Sequence, residues 1–90
     1  MPEVIRAIQV ENKLGMHARP AASFVQLTSR FSSEIVLKRG TEEVNGKSIM
    51  GVLMLAAPQG ATVTVIARGE DAETAMNEIE ALFKAKFGEE

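Results

Sequence analysis

No cysteine occurs among the 90 residues. That excludes a disulfide framework and a thiolate metal site, and a cytoplasmic location is expected. There is one histidine, so a metal site would have to be built from carboxylates, and no Asp/Glu group has ligand-like spacing. Neither a metal nor any other cofactor is expected. Tryptophan and tyrosine are absent, and the four phenylalanines all fall on helical patterns. An RNA-binding sheet, which stacks bases on exposed aromatics, is therefore poorly supplied. No apolar run approaches the length of a membrane span, so no membrane insertion is expected. Met1-Pro2-Glu3-Val4 lacks the basic stretch and apolar run of a secretory signal.

What remains is a chain with 46% hydrophobic residues and a formal charge of −2. At this length it should form one small domain, residues 1–90, with a modest core. The charge is uneven. Residues 12–68 carry seven Lys/Arg against three Glu, whereas residues 69–90 carry two Lys against seven acids. The acidic end argues against nucleic acid as a partner, and the basic middle suits an acidic protein surface.

Residues 4–10 alternate imperfectly and predict a strand with Ile8 and Val10 inward. A loop over 11–16 leads to a helix from Ala18 to about Phe31. On this helix Ala18, Ala21, Ala22, Phe24, Val25, Thr28 and Phe31 share one broad side, and Leu27 is expected to be exposed. Residues 34–39 read as a strand with Ile35 and Leu37 inward. Arg39-Gly40-Thr41 turns it into a short edge strand over 42–44. Asn45-Gly46-Lys47 is a turn, and Ser48 caps a short helix on which Ile49, Val52, Leu53 and Leu55 can pack inward, although a helix this short cannot bury them all and the surplus suggests a surface patch. Pro58-Gln59-Gly60 ends that segment. Residues 61–67 alternate clearly and are rich in β-branched side chains, as a central strand would be. The last helix is expected from Asp71 to about Lys86, with Ala72, Ala75, Met76, Ile79, Leu82, Phe83 and Lys86 as its buried stripe. The order β-α-β-β-α-β-α predicts an α+β fold in which one antiparallel sheet is covered by helices on one face.

The chemically informative stretch is Asn12-Lys13-Leu14-Gly15-Met16-His17-Ala18-Arg19-Pro20-Ala21-Ala22. The histidine stands where the strand pattern gives way to the helix pattern. Gly15 permits a sharp turn before it, and Pro20 sits in the first turn, where a missing N–H costs little. His17 is then at or next to the N-cap, beside the free amides of Ala18 and Arg19 at the positive helix end. A phosphoryl group on the ring would meet backbone donors and the fork-shaped Arg19 cation. A bare histidine at a helix start is more often a simple cap, and Gly15 before it, Arg19 after it and the lack of any other histidine put the two readings on a level.

His17-Ala18-Arg19-Pro20-Ala21, preceded by Leu14-Gly15-Met16, resembles the active-site motif of the HPr family. These are the histidine phosphocarriers of the bacterial phosphoenolpyruvate-dependent phosphotransferase system. Val44-Asn45-Gly46-Lys47-Ser48-Ile49-Met50-Gly51-Val52 resembles the family's regulatory-serine segment. The run from Asn12 to Ala21, together with Ala81-Leu82-Phe83 followed by Phe87, also resembles the nitrogen-related NPr branch. The resemblance covers nearly the whole chain. It implies an open-faced β-sandwich with a four-stranded antiparallel sheet of order 1-4-2-3 and three helices on one face.

It also implies roles. His17 would accept a phosphoryl group on Nδ1 from enzyme I, Arg19 would stabilise it, and an EIIA-type domain would receive it. Catalysis in such a transfer is mostly positioning and charge matching, and the chain would be a stoichiometric carrier and not an enzyme. Ser48 would be the target of an HPr kinase/phosphorylase where that enzyme exists. Ala18, Ala22, Lys47, Ile49, Met50, Leu53 and Met54 would form the docking face, also open to transcriptional regulators. A transient docking face of this kind goes with a monomer. Two alternatives remain. One is an NPr-like carrier or interaction regulator of nitrogen or carbon metabolism with no role in sugar transport. The other is a ferredoxin-like module for RNA or a small ligand, disfavoured by the missing aromatics.

Overall fold

The computed structural model of the protein describes residues 1–89. Strand β1 (Glu3–Gln9) leads into helix α1 (Ala18–Thr28). Strands β2 (Glu34–Arg39) and β3 (Glu42–Asn45) form a hairpin, and the short helix α2 (Ile49–Met54) follows. Strand β4 (Thr62–Arg68) precedes helix α3 (Ala72–Lys84) and a single 3-10 turn (Lys86–Gly88). The sheet is antiparallel throughout, in the order β1-β4-β2-β3. This is the α+β arrangement expected, with β4 central and β3 at an edge.

Alternation decides which face is which. Ile8, Ile35, Leu37, Val63, Val65 and Ala67 point to the helices and are buried. The opposite face carries the rows Glu3–Arg68–Glu34 and Ile5–Ile66–Val36, aligned by the register of β1, β4 and β2. Between sheet and helices the core is closed by Phe24 and Phe83, which meet edge-on at 6.0 Å. A pair of that geometry adds roughly 1 kcal/mol to the burial of the rings.

Several boundaries differ from the expectation, each for a local reason. Helix α1 stops at Thr28, three residues before Phe31. The buried Thr28 hydroxyl reaches the Gly46 carbonyl at 2.8 Å, and the Arg30 and Phe31 amides tighten into i→i−3 bonds to Leu27 and Thr28. Leu27 is buried, not exposed, at 7% accessibility. The apolar stripe runs through Pro20, Phe24 and Leu27, at i, i+4 and i+7, because α3 packs against that side. Ala18, expected on the buried side, is exposed. In α2 Val52 is buried, and Leu55 just after the helix is buried as expected. Ile49 faces outward and Leu53 is half-buried, because a helix of six residues cannot turn all its apolar side chains to one side. Strand β4 runs on to Arg68. Helix α3 ends at Lys84 and leaves Lys86 outside the stripe, because Lys86 and Phe87 adopt positive φ (55° and 56°) and fold Phe87 back onto Phe83.

Candidate functional site

The loop before His17 is pinned at several points. Val10 is bonded through its amide to Ala61, and Met16 through its amide to the Ala57 carbonyl at 2.8 Å. Asn12 is fully buried and donates from Nδ2 to the Gly15 carbonyl at 2.7 Å. Gly15 has φ +69°, and a Cβ there would lie 2.6 Å from the Ala57 carbonyl oxygen. Glycine is thus required twice, by conformation and by contact. Immediately after it, the His17 amide bonds back to the Gly15 carbonyl at 3.0 Å, and the His17 carbonyl accepts the first helical bond from the Ala21 amide at 3.0 Å.

His17 is therefore the N-cap of α1, with extended backbone (φ −87°, ψ −169°), and its side chain makes no capping bond. The ring is left for other work and is 36% exposed. Its Nε2 faces the Glu89 carboxylate, at 2.9 Å from Oε2 and 3.2 Å from Oε1. Glu89 Oε1 also accepts from Asn12 Nδ2 at 3.0 Å. Sequence reasoning missed this partner. Glu89 lies 72 residues along the chain from His17, and nothing in its spacing sets it apart from the other acids of the C-terminal stretch.

Arg19 is in the first turn of α1, exposed, and makes no ion pair among the described residues. Its guanidinium and the free amides of the first turn form the positive end of the helix. Ala18 and Ala22 lie on the same helix, exposed and half-buried respectively. The structure thus gathers His17, Ala18, Arg19 and Ala22 in the first turn and a half of α1.

Ser48 is the N-cap of α2, and its hydroxyl accepts from the Gly51 amide at 3.1 Å. The turn before it is fixed by the Gly46 amide on the Ile35 carbonyl at 2.7 Å and by Asn45 Oδ1, which accepts from the Lys47 amide. Lys47 is half-buried, with Nζ donating to the Phe31 carbonyl at 2.6 Å. Helix α2 packs against α1. It presents Ile49 (43% exposed), Met50 (70%) and Met54 (67%) to solvent, with Leu53 half-covered beside them. A further loop residue, Leu14, is 75% exposed and was not among the expected docking residues.

The comparisons with known proteins agree with one another. The model of the family described as "PTS HPr component phosphorylation site" matches residues 4–85. A phosphocarrier protein HPr from Treponema pallidum is 48% identical over 87 residues, covering 97% of this chain and 99% of its own length. A phosphocarrier protein NPr from Shewanella violacea is 39% identical over 89 residues, covering 99% and 98%. The crystal structure of HPr-C-His from Thermoanaerobacter tengcongensis superposes with a TM-score of 0.91 at 48% identity, covering 100% of this chain and 99% of that one.

Proposed function

The chain belongs to the HPr family of phosphocarriers of the phosphotransferase system, and from that premise we propose that His17 is its phosphoryl acceptor. His17 attacks the phosphoryl group of phospho-enzyme I through Nδ1, holds it as a phosphoramidate and surrenders it to an EIIA-type domain. The observation that carries this reading is the placement of the ring at the N-cap of α1 with no capping bond of its own. Arg19 and the first-turn amides, of Ala18 and Arg19, meet the dianion with positive charge and donors. The chain is consumed and regenerated in each cycle and so acts as a carrier and not as an enzyme. It works in the cytoplasm as a monomer, with residues 1–90 as one domain and without a cofactor.

Docking rests on the exposed apolar side chains of α2 (Ile49, Met50, Met54, with Leu53) and the small residues Ala18 and Ala22 of α1, edged by Arg19 and Lys47. Methionines adapt to several partner shapes, and a small apolar patch with a charged rim suits contacts that must form and break quickly. Phosphorylation of Ser48 by an HPr kinase/phosphorylase would place new charge at the positive end of α2. The fold would tolerate it, and the effect would fall on partners, transcriptional regulators included. The likeness to an NPr supports a second reading, in which the chain serves nitrogen or carbon regulation and has no part in sugar transport.

Incubation with phosphoenolpyruvate and enzyme I of either branch should give an acid-labile label on the native chain and none on His17→Ala. The variant should keep the native circular dichroism spectrum. A label that persists in the variant would overturn the assignment. Partner binding that survives His17→Ala would favour the regulator.

A further inference from the structure

The contact between His17 and Glu89 lies outside the motif that marks the site. After α3, two successive residues with positive φ, Lys86 and Phe87, reverse the chain. L-residues occupy that region only when the surroundings compel it. Here the buried Phe87 ring packs against Phe83 in a tilted pair at 4.9 Å, and the Gly88 and Glu89 amides bond back to Ala85 and Lys86. The turn delivers the Glu89 carboxylate to a position where its side chain is 13% exposed.

That carboxylate is held independently of the histidine. Asn12 Nδ2 donates to Glu89 Oε1 at 3.0 Å and to the Gly15 carbonyl at 2.7 Å. Both neighbours are acceptors, so the amide must present its NH2 to them. Asn12 Oδ1 is buried with no partner among the described residues, the expense of turning the amide this way. Loop and C-terminal turn together therefore build a fixed acceptor beside the imidazole.

We propose that Glu89 is a positioning residue, which holds the His17 ring by Nε2–H and leaves the Nδ1 lone pair as the nucleophile. A carboxylate accepts and does not donate, so the ring hydrogen must sit on Nε2. A neutral imidazole protonated there carries its lone pair on Nδ1. Among the described residues no hydrogen bond reaches Nδ1.

The proposal rests on the phosphocarrier reading and supplies what the family motif does not, a reason within this chain for the choice of nitrogen. In transfer from a phosphohistidine donor, the Nδ1 lone pair forms the new N–P bond. The electron pair of the broken N–P bond returns to the donor's ring nitrogen. No proton has to move. The Nε2 hydrogen stays between ring and carboxylate, and the positive charge that the His17 ring acquires is met by Glu89.

The test compares native protein with Glu89→Ala and Glu89→Gln, labelled with 15N and observed at alkaline pH. Glutamine is informative because Glu89 Oε1 lies 3.2 Å from His17 Nε2 and 3.0 Å from Asn12 Nδ2, so one carbonyl oxygen can serve both once the amide NH2, in the place of Oε2, turns away from the Nε2 hydrogen. The native ring should show a pyrrole-like Nε2 with an observable, slowly exchanging proton, and a pyridine-like Nδ1. Glu89→Gln should keep that proton signal, and Glu89→Ala should lose it to exchange. Phosphorylation of Glu89→Ala by phospho-enzyme I should fall about tenfold to a hundredfold, mainly in kcat, the range expected for a misoriented reacting group. Glu89→Gln should recover most of the loss.

A native ring protonated on Nδ1, or ring signals unchanged in Glu89→Ala, would overturn the proposal. So would faster transfer in Glu89→Ala, which would make the C-terminal turn a cover. If the native protein accepts no phosphoryl group, the carrier reading fails, and the ring signals still decide whether Glu89 positions His17.

Discussion

Asp71 carries more than its place in the chain suggests. It stands at the N-cap position of α3, yet its side chain makes no capping bond. Its carboxylate instead accepts from the amides of Ser32 and Ser33, at 2.9 and 3.0 Å, and from both serine hydroxyls. The Ser33 hydroxyl, with the Ser32 amide next, holds the carboxyl at about 2, below its ordinary 3.8. A carboxyl whose folded value lies below its unfolded value stabilises the fold above the unfolded value, and that contribution disappears as the pH falls through the folded one. Asp71→Asn should therefore be less stable than the native chain above about pH 4. The difference should shrink between about pH 4 and pH 2 in urea titrations across that range. A difference that does not change with pH would show that the clamp does not depend on the charge. The charge asymmetry of the C-terminal stretch is plain in the sequence, but this use of one acid among seven is not, because its partners lie 38 and 39 residues away.

Helices α1 and α2 divide their apolar residues differently. On α1 the stripe through Pro20, Phe24 and Leu27 is committed to the core. On α2 Val52 is committed, and the remaining apolar side chains are largely surface. Leu27→Ala should cost about 2–5 kcal/mol, the range for a buried leucine truncated in a packed layer. Met50→Ala should stay within about 0.5 kcal/mol of the native stability, as surface changes do. Urea denaturation of the two variants checks the pair together. Binding of enzyme I to Met50→Ala reads the surface role separately. If Met50→Ala destabilises as strongly as Leu27→Ala, α2 is an ordinary core helix. Periodicity placed Leu27 on the wrong side because a pattern of small alanines drew the apparent centre of the stripe away from it. The choice was made by α3, whose residues Ala81 and Leu82 line the same groove as Leu27.

At the scale of the molecule, the sheet joins residues far apart in sequence, and its central strand β4 pairs with the first strand and with the hairpin. Arg68, on β4, reaches Glu3 of β1 at 2.5 Å and Glu34 of β2 at 3.2 Å, a tie across three strands. These two carboxylates raise the guanidinium above its ordinary value, with the Glu3 hydrogen bond the larger cause. The pairs are exposed and worth little singly. Helices α1 and α3 close one common core with that sheet, so no part of it can open without exposing the rest. Unfolding should be a single transition, with calorimetric and van't Hoff enthalpies in agreement. Separate transitions for the hairpin and the remainder would show that residues 1–90 are not one cooperative unit.

The sequence by itself determined the kinds and order of the elements, the strand-to-helix junction that carries His17, the Ser48 cap and the resemblance to the HPr family. Each of these is written in neighbours a few residues apart, through alternation, helical periodicity, turn glycines and capping chemistry. Tertiary structure alone decided that Leu27 is inside, that Asp71 clamps Ser32 and Ser33, and that Glu89 meets His17. Those outcomes depend on which layers stack and where a reversed turn delivers its side chain. Local pattern reports the face a residue prefers but carries no record of what stands opposite it.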